Sequence, residues 1–191
     1  MPQIKESFTV EQPIGVVWTF FQDVPTVAQC MPGVELLDAV NDDTYNGKMK
    51  VKLGPISAQF QGTATIESLD ETAKTGSISA KGADRQGGSR ASAKVQYSLG
   101  DSGGGMTSVD IVADIVLQGS MAQFGRTGLI QEVSSQLTKE FASCIESKLG
   151  ATTPEAAAEV KASEVKGFSV FFKGLWAWLK GLFERKQPKD K

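Results

Sequence analysis

The sequence contains no histidine and only two cysteines. The absence of histidine excludes Ser-His-Asp and Cys-His catalysis, histidine-ligated metals and histidine-based pH switching. Two cysteines, Cys30 and Cys144, are too few for a disulfide scaffold or a four-cysteine zinc site. We expect both to be reduced thiols, with Cys144 a small buried residue of an apolar helix. The sequence therefore predicts no metal centre and no catalytic residue of these kinds.

A secretory signal is also not expected. Residues 1–10 have no basic start followed by an apolar run, and their alternation of apolar and polar side chains predicts a strand. Apolar residues make up 40% and charged residues 22% of the 191 residues, which is ordinary for a soluble globular protein. This length suggests one domain with an appendage. We therefore expect a cytoplasmic protein.

Positive charge is scarce in the body of the chain and concentrated at its end. Residues 1–160 carry 12 Lys and Arg against 19 Asp and Glu, a net charge of −7. Residues 161–191 carry 8 against 3, a net charge of +5. An acidic body argues against nucleic acid as a partner. The basic end directs attention to what that segment contacts.

The body, residues 1–149, has the pattern of an α+β domain. Two short helices are predicted over residues 13–21 and 27–31. From Val34 to about Phe124 the apolar period is two, and turn signals divide the segment into about six strands of an antiparallel meander. Residues 126–149 then show an amphipathic helix that Gly150 ends. This order predicts a helix-grip fold, in which a curved antiparallel sheet closes around the long C-terminal helix of the body.

The predicted inner face of the sheet is apolar but carries many small residues, such as Gly62, Ala80 and Ala93. Because protein interiors normally pack to a density of about 0.75, so little side-chain volume predicts a cavity for a hydrophobic ligand. The alternative is that helices approach the sheet closely at these positions. Titratable residues are almost absent from this face, where Tyr97 and Tyr45 are the only candidates, so catalysis is not expected. The predicted ligand-binding residues are Met49, Val51, Phe60, Tyr97, Ile111, Leu129, Val133, Leu137 and Phe141, with Phe20 and Met31 near an entrance.

The tail, residues 166–191, holds the strongest pattern in the chain. Over residues 166–186, lysine recurs every seventh position opposite a broad apolar arc, which is typical of a helix lying in a membrane interface. A spanning helix is disfavoured by the regular lysines, and a coiled coil or partner-helix contact by the tryptophans and glycines. Residues 150–165 are either a linker or the start of this helix. The predicted membrane-binding residues are Phe168, Phe171, Phe172, Leu175, Trp176, Trp178, Leu179, Leu182 and Phe183 on the apolar side, with Lys166, Lys173 and Lys180 opposite.

Several short motifs of the body resemble one family. They are Met-Pro-Gly-Val at 31–34, Lys-Leu-Gly-Pro-Ile at 52–56, Phe60 with Gly62, and Gly119 with Ala-Gln-Phe-Gly-Arg at 122–126. This ordered set resembles the carbon monoxide dehydrogenase CoxG family, which belongs to the START/Bet v 1-like (SRPBCC) superfamily.

The resemblance implies an accessory protein without catalytic residues. Such a protein would sit peripherally on the cytoplasmic side of the cell membrane and recruit a molybdenum hydroxylase such as carbon monoxide dehydrogenase. It would hold no covalent cofactor, and its cavity would suit a respiratory quinone or another lipid. The alternatives are a pure membrane anchor, a lipid-binding protein without a quinone role, and a cyclase-like enzyme.

Overall fold

The body folds as a seven-stranded antiparallel sheet with three α-helices. The computed structural model describes residues 3–53, 56–84, 86–126, 128–151, 157 and 159–161. Strands follow the order β1-β7-β6-β5-β4-β3-β2, so every neighbour after β2 is also a neighbour in sequence and β1 joins the β7 edge. The predicted meander of six strands after residue 34 is confirmed. The strands are β1 (Gln3–Val10), β2 (Val34–Ala39), β3 (Thr44–Leu53), β4 (Ile56–Asp70), β5 (Thr75–Asp84), β6 (Ser89–Gly103) and β7 (Met106–Gln118).

Two short helices connect β1 to β2. Helix α1 (Ile14–Gln22) buries Val17, Trp18, Phe20 and Phe21 on one side, as an amphipathic pattern requires. The Asp23 carboxylate then caps α2 (Val24–Cys30) by accepting from the Thr26 backbone N–H at 3.2 Å. Both predicted helices are therefore present, but α2 begins three residues earlier than the apolar pattern indicated, because the cap at Asp23 starts it.

The long helix α3 (Leu129–Leu149) follows a 3-10 helix (Gly119–Arg126). It packs mainly along β1 and reaches α2 near its C-terminal end. The helix begins three residues later than predicted and ends where Gly150 was expected to stop it. A curved antiparallel sheet with this helix on one face is the predicted α+β helix-grip fold.

The two cysteines form a disulfide, so the expectation of two reduced thiols is wrong. Cys30 at the end of α2 and Cys144 in α3 are joined with a Cα–Cα distance of 5.4 Å, which suits a disulfide. The partners are 114 residues apart, and only the crossing of the two helices brings them together. The expectation that Cys144 is buried is confirmed.

Lys148 is also placed differently from the sequence expectation, which put it on a solvent-facing side of α3. Its side chain is 6% exposed and donates to the Gln29 side-chain oxygen at 3.0 Å and to the Ala157 carbonyl at 2.9 Å. Burial lowers the pKa of its ammonium group, while Asp23 opposes that shift. The predicted tail, residues 166–191, lies outside the described residues, as does most of 150–165.

Candidate ligand-binding site

The middle of the inner sheet face is built from very small residues. Strand register places them in two adjacent rows that run across the central strands. With so few atoms above the backbone, these rows form the floor of a cleft between the sheet and α3. The first row contains Gly62, Gly82 and Ala91, and the second contains Ala64, Ala80 and Ala93.

Gly62 shows why one of these positions excludes a side chain. A Cβ built on Gly62 would lie 1.9 Å from the Lys81 carbonyl oxygen and 2.6 Å from the Gly82 Cα. The backbones of β4 and β5 therefore approach more closely here than any other residue permits. The shallow floor of the cleft follows from this local backbone geometry.

Two separate core clusters close the cleft at its ends. The first contains Trp18, Phe21, Tyr97, Phe141 and other buried residues of α1, α3 and the neighbouring strands. The second, smaller cluster is made by Ala58, Phe60 and Met121, with Ala91, Leu117 and Phe124 packed against it.

Between the two clusters, apolar side chains of the sheet and of α3 are only half-buried. Among them are Val95 and Ile115 on the sheet and Val133 and Leu137 on α3. A fully packed core would bury such residues. The cleft therefore offers apolar surface that the described residues do not cover.

The first cluster gives the cleft an aromatic end. The Phe21 and Tyr97 rings are 5.1 Å apart, and Phe141 stands edge-on to both Phe21 and Phe8 at about 6 Å. Tyr97 is 7% exposed, and its hydroxyl makes no hydrogen bond to any residue that the structure describes. Burial raises the pKa of this hydroxyl above its ordinary value. The group is therefore protonated at neutral pH and able to donate a hydrogen bond.

Two further polar atoms near this end lack hydrogen-bond partners among the described residues. One is the Trp18 indole nitrogen, buried in the first cluster, while the Lys74 ammonium lies 5.1 Å from the Trp18 ring centroid. The other is one carboxylate oxygen of Glu140, next to Phe141 on α3. Sequence reasoning placed Glu140 on a solvent-facing side of the helix and did not single out Trp18. The four-residue spacing from Glu140 to Cys144 was the available signal for Glu140.

The predicted ligand-binding residues lie on both clusters and on the surface between them. Phe20, Tyr97 and Phe141 are buried in the first cluster, and Met31 and Ile111 pack against it. Phe60 belongs to the second cluster. Contact of these residues with a ligand stays a prediction. The half-buried members between the clusters or beside them are Met49, Val51, Leu129, Val133 and Leu137.

The family model for the carbon monoxide dehydrogenase protein CoxG matches residues 7–150, which is most of the chain. The chain belongs to the CoxG family. The match covers the sheet, the cleft and α3, and it ends where α3 ends. Family and fold together indicate a ligand-binding accessory protein, and the family name associates it with carbon monoxide dehydrogenase. No match to the chain was found among curated proteins.

Solved structures with the same fold are distant in sequence. A conserved protein from Geobacillus kaustophilus superposes with a TM-score of 0.68 at 14% identity, covering 76% of this chain and 93% of its own. The aromatase/cyclase Zhui from a Streptomyces strain gives 0.54 at 16% identity, covering 84% and 96%. A START superfamily protein from Mycobacterium smegmatis gives 0.52 at 12% identity, covering 79% and 99%. At these identities the likeness establishes the START-like fold of this CoxG family member and nothing about its chemistry.

Two kinds of feature are absent from the described residues. No cluster of three or more histidine, cysteine, aspartate or glutamate side chains with metal-binding geometry occurs in that part of the chain. No helix among the described residues is long and apolar enough to span a membrane.

Proposed function

We propose that this CoxG family member is a membrane-tethered accessory protein that holds a respiratory quinone in the cleft. It brings a carbon monoxide dehydrogenase-type molybdenum hydroxylase to the cytoplasmic face of the membrane and so connects it to the electron transport chain. The observation that carries the proposal is the gap between the two core clusters. There, rows of glycine and alanine leave half-buried apolar side chains without a packing partner among the described residues.

The chemistry of the cleft suits a quinone. A quinone has a flat ring with carbonyl acceptors and an isoprenoid tail that is nearly insoluble in water. Phe21, Tyr97 and Phe141 supply aromatic surface for such a ring, and the protonated Tyr97 hydroxyl is a donor for a carbonyl oxygen. The small-residue rows leave room for the tail, and each methylene removed from water contributes about 0.8 kcal/mol.

The tail carries the membrane part of the proposal. Nine large apolar side chains, each partly buried in lipid, offer on the order of 5–10 kcal/mol before the cost of ordering. Each lysine near anionic lipid adds about 1 kcal/mol. Residues 150–165, if flexible, span about 20–25 Å and keep the cleft within reach of the bilayer.

The bound molecule is the direct test. The full-length protein, purified from the membranes of its own host, is extracted with organic solvent and the extract is identified by mass spectrometry. We expect a quinone in near-stoichiometric amount. Recovery of phospholipid alone supports the lipid-binding alternative. Recovery of no small molecule supports the pure anchor and contradicts the quinone proposal.

The tail is tested in parallel by deleting residues 166–191. The shortened protein should remain folded, because α3 already ends at Leu149 and Gly150 follows it. It should keep its affinity for a short-chain quinone in detergent and lose quinone uptake from vesicles. Equal rates of uptake with and without the tail would show that loading does not depend on tethering.

A further inference from the structure

The outer face of the sheet, which points away from α3, carries an unusual concentration of positive charge. Register and alternating burial place six cations there, which is half of the 12 Lys and Arg of residues 1–160. This occurs on a body whose net charge is −7. The set is called the basic face and consists of Lys48, Lys50 and Lys52 on β3, Lys81 on β5, and Arg90 and Lys94 on β6.

These six side chains are not neutralised within the domain. None of them makes an ion pair or a side-chain hydrogen bond with a residue that the structure describes, where the single ion pair is Lys74–Glu71. Five of the six are exposed, and Lys48 is half-buried. Their cross-strand neighbours are mostly neutral, since Lys48 faces Gln61, Lys50 faces Gln59 and Lys81 faces both Thr63 and Ser92. The charge is therefore available to a partner.

Opposite charge collects at the other end of the same strands. The cations lie toward the β3–β4 and β5–β6 connections, whereas Asp42, Asp43, Asp70, Glu71 and Asp101 occupy or adjoin the β2–β3, β4–β5 and β6–β7 connections. The domain is thus electrostatically polarised along its strands. Such a separation of charge orients a protein as it approaches a charged partner and accelerates productive encounters.

The basic face also has a shaped centre. A groove of about 650 Å³ runs across β4 to β7 on this side. Two carboxylates, Glu67 and Asp114, line it, and the six cations of the basic face outnumber them. Ammonium and hydroxyl groups in a shallow groove suit protruding carboxylate side chains, which accept hydrogen bonds from both. The groove supplies such donors from Lys81, Lys94, Thr63, Thr65, Ser79 and Ser92.

The structure assigns the basic face to docking of an acidic, carboxylate-bearing surface on the oxidoreductase that the proposed function recruits, and this rests on that function. A lipid surface is disfavoured. Interfacial membrane contacts need exposed apolar or aromatic side chains, and none of the large exposed apolar residues of the described chain lies on this face. Strand and residue spacings give the patch dimensions of roughly 15 by 27 Å. That area is typical of transient complexes.

The test is the association rate of the full-length protein with purified carbon monoxide dehydrogenase from the same organism. Lys50→Glu/Lys52→Glu reverses two exposed charges of the basic face. Lys139→Glu/Lys161→Glu makes the same charge change at exposed positions elsewhere. We expect the first variant to associate at least about tenfold more slowly at low salt, the control to stay within about twofold, and added salt to remove the difference.

The outcomes separate the two proposals. Association of the wild type that survives charge reversal on the basic face overturns the docking surface and leaves recruitment standing. Failure of the wild type to associate at all contradicts recruitment itself and the docking surface with it. Loss of binding to vesicles of 30% anionic phospholipid, with unchanged association with the enzyme, would identify the face as a membrane contact and overturn the assignment (this lipid fraction is roughly that of an anionic cytoplasmic leaflet).

Discussion

Tyr97 lies over Gly76, its register partner on the neighbouring strand. A Cβ built on Gly76 would stand 2.3 Å from both the hydroxyl oxygen and the Cζ of the Tyr97 ring. Only a hydrogen atom fits beneath the ring. Gly76 therefore fixes the position of the Tyr97 hydroxyl at the aromatic end of the cleft.

The first prediction concerns that contact. Gly76→Ala should displace the Tyr97 ring and cost about 1–3 kcal/mol, as overpacking of a core does. The matched control is Gly15→Ala in α1, where an added Cβ meets nothing within 4 Å. There the change should leave stability unchanged or raise it by up to about 1 kcal/mol. Urea denaturation measures both, and equal stability of the two variants would contradict the observed contact.

The second prediction concerns alkaline pH. Because burial raises the folded-state pKa of Tyr97, the folded protein retains this proton at pH values where the unfolded chain releases it. The resulting stability is fully present below pH 10, the ordinary value, and is lost as pH rises through the folded-state value.

Tyr97→Phe keeps the ring and removes the titration. The free energy of unfolding should therefore fall less steeply above pH 10 in Tyr97→Phe than in the wild type. At pH 7 the two proteins should have nearly the same stability, since the hydroxyl makes no hydrogen bond to the described residues. Parallel pH profiles would show that Tyr97 ionises as it does in the unfolded chain.

The third prediction concerns the disulfide. Replacing both Cys30 and Cys144 by serine should lower stability by about 2–4 kcal/mol, since the bond closes a long loop in the unfolded chain. Thermal melting with and without reductant should show the loss in the wild type only. The oxidation state in cells also tests the proposed location, because disulfides are rare in the cytosol. Full labelling of both thiols in freshly lysed cells would show that the bond is open there.

The fourth prediction separates apolar from electrostatic anchoring by the tail. Trp176→Ser/Trp178→Ser should weaken binding to anionic vesicles even at low salt, because burial of aromatic surface supplies most of the attachment. High salt should weaken the wild type only in part, since it screens the lysines and leaves apolar burial intact. Complete release of the wild type at about 0.5 M salt would show that the attachment is mainly electrostatic.

The fold could be read from the sequence because its patterns are local. A period of two with turn signals predicted the meander, and parity along each strand predicted the inner face, which the register confirms for Met49 opposite Phe60 and Ala80 opposite Ala93. The start of α2 was misplaced because a single carboxylate, Asp23, sets it.

Features that depend on distant parts of the chain were not predictable in the same way. Cys30 and Cys144 meet only because α2 and α3 cross. Lys148 is buried by Gln29 and Ala157, one of them 119 residues away. The basic face was hidden by the net charge, because its cations come from three strands and assemble only when the sheet forms.

The most direct test of the cleft as the quinone site compares two neighbouring residues on opposite faces of β6. Ala93 lies in the small-residue row of the inner face and Ser92 on the outer face. Binding of decylubiquinone in detergent is measured by titration for the wild type, Ala93→Phe and Ser92→Phe. We predict saturable binding by the wild type and Ser92→Phe, with Ala93→Phe at least tenfold weaker, about 1.4 kcal/mol, and still folded. Equal affinity of all three proteins, or no saturable binding by the wild type, would contradict a quinone site in the cleft.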